Sequence, residues 1–293
     1  MAVTILTAEQ RAVVTAPEGP LLLLAGPGTG KTAVLAARIA HLISARGIAP
    51  ASVLALTFSN RAAGELRTRL ALLLGDDSGA VDVATYHGFG LRMLRHWQTA
   101  LGYGPGPLAV IDGPEAQTLL ATTAKDLGFT AGQVPLRALL AAVERYRMGA
   151  GDPVHAEALQ TIATAYERQL RCRQAVDYPA MLLLPLRLLR QHPPVARLYR
   201  VAYRAVLVDE AQDTCPVQYA LVSQLAALHR HLFLVGDPAQ SLFAWRGADN
   251  GVFRDFLRDF AEARVYTLSQ NFRSTPQIVG TANAIGAGLP LHV

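Results

Sequence analysis

The sequence predicts an α/β fold, in which helices cover both faces of a parallel sheet and an all-α subdomain is inserted. Short apolar runs alternate with helical patterns near both ends of the chain, whereas the middle shows helical periodicity alone. Continuous apolar strands that alternate with helices are typical of parallel sheets buried on both faces.

Composition allows this architecture and narrows the classes of function. The chain has 293 residues, of which 51% are hydrophobic, and its net charge is +5. A basic balance fits a polyanionic partner, although it also fits a soluble protein that is basic for other reasons. Two cysteines exclude a disulfide framework and a cysteine zinc site. Without a secretory pattern or a run of about 20 apolar residues, we expect a cytoplasmic protein with no membrane partner.

Strand and helix patterns alternate before residue 103 and return after residue 195. Strands are predicted at 21–25, 53–58, 81–85, 205–208, 232–235 and 265–268. Helices are predicted at 31–45, 61–74, 88–97 and 275–287. We therefore expect a core domain in two parts, 1–103 and 195–275.

The middle of the chain reads as a helical subdomain at 104–194. A Gly- and Pro-rich stretch at 102–107 and a Pro pair at 193–194 mark its boundaries. Helical periodicity covers 115–127, 136–147, 155–173 and 179–190.

A glycine-rich loop between the first strand and the first helix predicts a phosphate site. Its residues are Gly26, Pro27, Gly28, Thr29, Gly30, Lys31 and Thr32. Glycines let backbone N–H groups approach phosphate oxygens, and the helix N-terminus adds its dipole. Lys31 would reach the β- and γ-phosphates, and Thr32 would bind Mg²⁺. The strict pattern has glycine where Ala25 stands, but the rest matches, so we expect ATP and Mg²⁺ as cofactors.

Adjacent carboxylates follow the strand at 205–208. Mg²⁺ prefers oxygen ligands, and Asp209 would hold it at the carboxyl end of the strand. Glu210 would act as the general base that activates the attacking water. By themselves these acids would fit a solvated loop, but the phosphate motif favours the catalytic interpretation.

These motifs resemble those of the UvrD/Rep-like helicases of superfamily 1. The stretch 209–214 is similar to motif II of that family. Other motifs follow in order: a Q motif at 6–10, motif Ia at 56–63, a DNA-contacting motif at 85–89, motif III at 236–248 and motif IV at 268–274. The resemblance implies that the chain is the N-terminal portion of such a helicase, a RecA-like P-loop NTPase domain with a helical insertion.

The resemblance also implies roles at the ATP site. Gln10 would recognise adenine, and Phe272 would stack on it. Gln240 would sense the γ-phosphate and link the ATP state to the DNA-binding loop, although a loop-stabilising glutamine is the alternative. Arg273 would contact the γ-phosphate, with a surface salt bridge as the alternative.

Aromatic and polar residues near strand ends are candidates for DNA contact, because bases stack on flat side chains at about 1–3 kcal/mol each. The candidates are Phe58, Asn60, His87, Phe243, Trp245 and Arg246. The alternative for each aromatic is a place in the core, which we expect for Phe89. Tyr86 stands where the family often has Phe, and the stretch 177–182 lacks the family's further acids, so we assign it no role.

The expected function is ATP-dependent translocation on single-stranded DNA, or at a junction with duplex, with unwinding in the 3′ to 5′ direction. The family motor has a second RecA-like domain that supplies an arginine finger. Residues 276–293 would begin that domain or form a tail, so we expect a truncated, poorly active chain. The alternatives are a naturally short relative, the front of a RecB/AddA-like helicase–nuclease, and a non-hydrolysing ATP- and DNA-binding module.

Overall fold

The computed structural model describes residues 6–129, 136–149, 156–240 and 251–286. The chain divides into two compact units. The first consists of Met1–Tyr86 and Pro194–Val293, and the second of His87–Pro193.

Within the described ranges there are eight strands and twelve α-helices. The strands are β1 (Leu21–Ala25), β2 (Val53–Thr57), β3 (Asp82–Thr85), β4 (Ala109–Val110), β5 (Ala175–Val176), β6 (Ala205–Val208), β7 (Leu232–Gly236) and β8 (Arg264–Leu268). The helices are α1 (Ala8–Thr15), α2 (Lys31–Ser44), α3 (Asn60–Leu74), α4 (Tyr86–Trp97), α5 (Gly113–Asp126), α6 (Leu136–Arg147), α7 (Ala156–Cys172), α8 (Ala180–Gln191), α9 (Pro193–Ala202), α10 (Pro216–Ala226), α11 (Gly251–Asp259) and α12 (Pro276–Gly286). In those ranges no helix combines the length and apolar character that crossing a membrane requires.

The first unit is built on a six-stranded sheet with the order β3-β2-β6-β7-β1-β8. Every neighbouring pair in it is parallel. Leu21, Leu23 and Phe233 face a core shared with α2 and α3. Leu22 and Leu234 alternate with them and are equally buried, which is why the strands read as continuous apolar runs. The predicted α/β fold is confirmed.

A buried arginine fixes α1 beside the sheet. Arg38 of α2 is fully buried, and its guanidinium donates to the carbonyl oxygens of Val14 at 2.9 Å, Pro17 at 2.9 Å and Ala16. These carbonyls lie at the C-terminal end of α1, where a helix leaves acceptors unpaired. Burial lowers the pKa of Arg38 to about 10, which keeps it charged at neutral pH. Arg38 thereby holds the helix that carries Gln10.

Among the residues described in the second unit, the regular structure is helical apart from the two-residue parallel pair of β4 and β5. A pair this short carries no periodicity, so the sequence does not predict it. Helix α4 belongs to this unit from His87 onwards, and its Gly90 lies directly against α8, where a Cβ would come within 1.8 Å of the Met181 carbonyl oxygen. Leu94 packs in one cluster with Met181 and Leu184. The predicted boundary at 103/104 therefore lies inside the second unit, whose far end, Pro193, adjoins the predicted one.

A buried histidine at the start of β7 makes stability sensitive to acid. His231 is 2% exposed, and neither ring nitrogen has a hydrogen-bond partner within the described ranges. Burial, reinforced by Arg38, Arg204 and His229, lowers the pKa of His231 to about 3. The unfolded chain takes up this proton near pH 6.5, so the free energy of unfolding falls as the pH drops from about 6.5 towards 3.

We predict that this free energy falls between pH 7 and pH 5 by about 2 kcal/mol more in the wild type than in His231→Leu. Urea unfolding at both pH values measures the difference. His229→Leu is the control and should keep the wild-type dependence. Equal pH dependence in the wild type and His231→Leu would contradict the assignment.

Candidate functional site

The predicted nucleotide residues of the first unit meet at the carboxyl edge of its sheet. The phosphate loop, residues 26–30, follows β1, and Asp209 follows β6. Asp237 follows β7, and Asn271 lies just beyond β8. Because β1 lies between β7 and β8, the loops of both neighbours flank the phosphate loop. Ligands of open parallel sheets bind at this edge.

The backbone of the phosphate loop requires its glycines. Gly28 and Gly30 have φ angles of +74° and +91°, which residues with a side chain rarely adopt. Gly30 is the N-cap of α2, so the unpaired N–H groups and the dipole of that helix face the loop. Thr29 donates its hydroxyl to the Gly26 carbonyl at 2.8 Å and stiffens the turn. This cradle fits a phosphate group.

Lys31 supplies a buried positive charge at the same place. It is 9% exposed, and its Nζ donates to the carbonyl oxygens of Ala25 at 3.1 Å and Gly26 at 3.5 Å. Carbonyl oxygens carry only partial charge, so phosphate oxygens would be stronger partners for the ammonium. The arrangement therefore favours an anionic ligand at the loop.

Asp209 and Thr32 bring a carboxylate and a hydroxyl together, an oxygen pair suited to a divalent cation. Asp209 is 4% exposed, and the Thr32 side chain is close enough to lower its pKa. Burial and the neighbouring Glu210 raise the pKa of Asp209 to about 6, while Lys31 and Thr32 oppose the rise. A bound cation would favour the ionised form. Carboxylate and hydroxyl oxygens are ligands that Mg²⁺ accepts, so these residues fit the predicted metal.

Glu210 has an unusual backbone conformation, and its carboxylate accepts a hydrogen bond from a buried glutamine. Its φ of +51° lies in the left-handed region, which is uncommon for a residue other than glycine and clusters at functional sites. Gln212 is 2% exposed and donates its Nε2 to Glu210 Oε2 at 2.8 Å. Gln212 Oε1 accepts from the backbone N–H of Asp237 at 3.0 Å. A single side chain thus joins the ends of β6 and β7.

Asp237 extends this chain of hydrogen bonds to Gln240. The Nε2 of Gln240 donates to Asp237 Oδ2 at 2.5 Å, and the Ala239 N–H donates to Asp237 Oδ1 at 3.0 Å. Gly236 leaves the space that this arrangement needs, because a Cβ there would lie 2.7 Å from Gln212 Oε1. Glu210 and Gln240, predicted to act on water and on the γ-phosphate, are therefore connected through Gln212 and Asp237.

Gln10 contacts the phosphate loop directly. Its Nε2 donates to the Thr29 carbonyl at 3.0 Å, and its Oε1 accepts from the Thr7 N–H at 3.1 Å in a capping box. A Cβ on Gly30 would lie 2.9 Å from the same Nε2. The adenine contact of Gln10 stays a prediction, and the structure adds this bridge between α1 and the loop.

The segment after β8 lies against the phosphate loop from the other side. Asn271 Nδ2 donates to the Pro27 carbonyl at 2.7 Å, and the Phe272 N–H donates to the Gly28 carbonyl at 2.8 Å. Phe272 is 57% exposed, and Arg273 is exposed as well. The backbone of the two residues predicted to contact adenine and the γ-phosphate therefore lies directly beside the phosphate loop.

The DNA candidates divide between the units. Phe58 is 36% exposed beyond the end of β2, and Asn60 begins α3 as an exposed residue. Phe89 is 1% exposed, so its predicted place in the core is confirmed. Three further candidates lie outside the described residues, namely Phe243, Trp245 and Arg246.

In the second unit, His87 forms an aromatic pair that the sequence did not predict. Its ring packs edge-on against Tyr178, with the centroids 5.5 Å apart. Tyr178 is 56% exposed, and burial lowers the pKa of His87, which favours a neutral ring. A tyrosine directly after an acid, Tyr178 after Asp177, is the sequence feature that could have indicated this surface.

Tyr86, where the family often has Phe, reaches motif II in the first unit. Its hydroxyl lies 3.5 Å from Thr214 Oγ1, and the tyrosine is 3% exposed. Burial raises the pKa of this phenol, so it stays protonated. The hydroxyl adds a polar link between the end of β3 and the residues after Glu210 that a phenylalanine could not provide.

Comparison with known proteins assigns the family. Residues 6–261 match the family model described as the UvrD/REP helicase N-terminal domain. The chain belongs to this family.

Several curated relatives of this UvrD/REP family member are helicases by name. The chain is 35% identical over 287 residues to the ATP-dependent DNA helicase PcrA of Leuconostoc citreum, covering 94% of the chain and 38% of the relative. It is 33% identical to a PcrA of Staphylococcus aureus, covering 94% and 39%. It is 36% identical to the ATP-dependent DNA helicase UvrD1 of Mycobacterium bovis, covering 96% and 39%. The chain thus spans less than two fifths of the length of these relatives.

The sequence assigns no role of their own to three residues of the candidate site. Gln212, Asp237 and Asn271 lie within motifs II, III and IV, and each links two elements of the first unit. Each is a polar residue close behind a buried strand end, which is the feature that could have singled it out.

Proposed function

We propose that the protein is an ATP-dependent helicase or translocase on single-stranded DNA, moving 3′ to 5′, and that this chain is its N-terminal ATP- and DNA-binding part. The observation that carries the proposal is the meeting of Lys31, Thr32–Asp209 and Glu210 at one sheet edge. The names of the relatives support DNA as the substrate. Such a protein would work in the cytoplasm, without a membrane partner.

The residues of the chain divide the chemistry among them. Lys31 exchanges its carbonyl partners for β- and γ-phosphate oxygens, and the N–H groups at the start of α2 bind the same anion. Thr32 and Asp209 would hold Mg²⁺, which when bound would neutralise charge on the phosphates. Glu210 takes a proton from the attacking water. Gln212, which donates to Glu210 Oε2, leaves Oε1 to receive it.

The remaining residues recognise the ends of the nucleotide. Phe272 stacks on adenine, and Gln10 reads its edge while holding the phosphate loop. Arg273 and Gln240 contact the γ-phosphate from opposite neighbours of β1. Gln240 is joined to Glu210 through Asp237 and Gln212. Loss of the γ-phosphate would therefore change the contacts of both Gln240 and Glu210.

Lys31→Ala should weaken binding of a fluorescent ATP analogue with Mg²⁺ by at least about 100-fold, because a charge-assisted contact to two phosphates is lost. Lys125→Ala is the matched control, since Lys125 on α5 is the chain's other lysine. Unchanged affinity of Lys31→Ala in the titration would refute the phosphate role.

We also predict that residues 1–293 bind ATP but hydrolyse it negligibly. The resemblance to the UvrD/Rep-like helicases implies that the motor has a second RecA-like domain with an arginine finger. Such a finger raises the rate of hydrolysis by about 10³- to 10⁵-fold. Steady-state hydrolysis with and without single-stranded DNA measures this. Robust DNA-stimulated ATP hydrolysis by residues 1–293 alone would contradict the prediction.

Tyr178 and His87 are proposed to form a platform on which a base of single-stranded DNA stacks. Tyr178→Ala should weaken binding of a fluorescent oligonucleotide by about 1–3 kcal/mol, the contribution of one stacked base. Tyr178→Phe keeps the aromatic face and should bind like the wild type. Fluorescence anisotropy measures both affinities, and wild-type binding by Tyr178→Ala would exclude the platform.

A further inference from the structure

The contact between the phosphate loop and the segment after β8 depends on one side chain. Asn271 Nδ2 donates to the Pro27 carbonyl at 2.7 Å. Its Oδ1 accepts from the backbone N–H groups of Arg273 and Ser274, both at 2.8 Å. A carboxamide both donates and accepts, so Asn271 fastens its own turn and the neighbouring loop together.

The two backbones touch at the same place. The Phe272 N–H donates to the Gly28 carbonyl at 2.8 Å. A Cβ on Gly28 would lie 2.7 Å from Arg273 Cβ and 2.8 Å from Asn271 Oδ1, so any side chain at Gly28 would separate the loops. The hydrogen bond from Asn271 to Pro27 lies directly beside this close contact.

Packing alone does not fix the two residues that follow Asn271. Phe272 is 57% exposed and Arg273 is exposed, so their side chains are largely surrounded by solvent. Their backbone direction is instead fixed by hydrogen bonds that start or end at Asn271 and Gly28. These hydrogen bonds therefore set the place at which the side chains of Phe272 and Arg273 leave the backbone.

We propose that Asn271 is a positioning residue, which holds Phe272 and Arg273 over the phosphate loop so that one side chain sets the contacts to adenine and to the γ-phosphate. This inference rests on the proposed function, because it presumes that ATP occupies the loop. It implies that replacing Asn271 weakens the contacts to adenine and to the γ-phosphate together. The same replacement should have no effect on ATP affinity when Phe272 and Arg273 are both alanine.

A double-mutant cycle tests the proposal. Asn271→Ala is made in the wild type and in the Phe272→Ala/Arg273→Ala background, and the affinities for a non-hydrolysable ATP analogue, ADP and tripolyphosphate are measured with Mg²⁺. In the otherwise wild-type protein, Asn271→Ala should weaken binding of the ATP analogue about tenfold. Binding of ADP and of tripolyphosphate should weaken less, since ADP lacks the γ-phosphate and tripolyphosphate lacks adenine. In the altered background the loss should fall below about twofold. Gln270→Ala, at the exposed neighbouring residue, should leave all three affinities unchanged.

Hydrogen exchange of the nucleotide-free protein gives a second readout. Asn271→Ala removes the acceptor of the Arg273 and Ser274 amides, so both should exchange faster while the amides of β1 stay protected. If Asn271→Ala does not fold, Asn271→Ser replaces it in the cycle, because its hydroxyl can still accept from these amides, while the Nδ2 donor to Pro27 is lost without adding a charge.

Each outcome decides the matter. An equal loss in both backgrounds, or no loss in the wild type, would overturn the positioning role of Asn271. Absence of ATP binding by the wild type, or equal binding by Lys31→Ala, would instead show that the proposed function has failed, and the inference with it.

Discussion

The parallel direction of the six-stranded sheet is the constraint on which the proposed nucleotide site depends. Because all six strands run the same way, the residues that follow them meet at one edge. The order of the strands then decides which loops are neighbours. With β1 between β7 and β8, the phosphate loop lies between Asp237 on one side and Asn271 on the other.

Left-handed backbone and buried charge occur together at this edge. Two glycines and Glu210 adopt left-handed backbone conformations there. Lys31 and Asp209 are both nearly buried, and the pKa of Asp209 is raised by its burial. Such features cost stability, and folded proteins retain them where a ligand or a reaction uses them. The apolar strands and the Arg38 anchor of α1 hold the edge in place.

The sequence predicts the strands of the sheet well because strands buried on both faces require short, continuous apolar runs. Runs of four or five apolar residues that end in glycine or acids correspond to β1, β6 and β7, and their bounds differ by at most one residue from those predicted. Helix α10 was missed because apolar residues occupy most of its surface and give no amphipathic pattern. Helix α9 was missed because its first residues, two prolines, read as a boundary.

Individual candidate residues can be named from the sequence, but their hydrogen-bond partners cannot. Glycine spacing and adjacent acids indicate Lys31, Thr32 and Asp209 without a structure. The contact of Asn271 with Pro27 joins residues 244 positions apart, and it exists only because β8 pairs with β1. The bridge from Glu210 through Gln212 to Asp237 likewise depends on β6 lying beside β7. Strand order is a property of the whole sheet, which local patterns do not encode.

A crystal structure of the chain with a non-hydrolysable ATP analogue and Mg²⁺ tests the central claim most directly. The account predicts that Lys31 Nζ leaves the carbonyls of Ala25 and Gly26 for β- and γ-phosphate oxygens, with the metal at Thr32 and Asp209. Phosphates bound away from the loop at residues 26–30, or a metal that Thr32 and Asp209 do not contact, would contradict it.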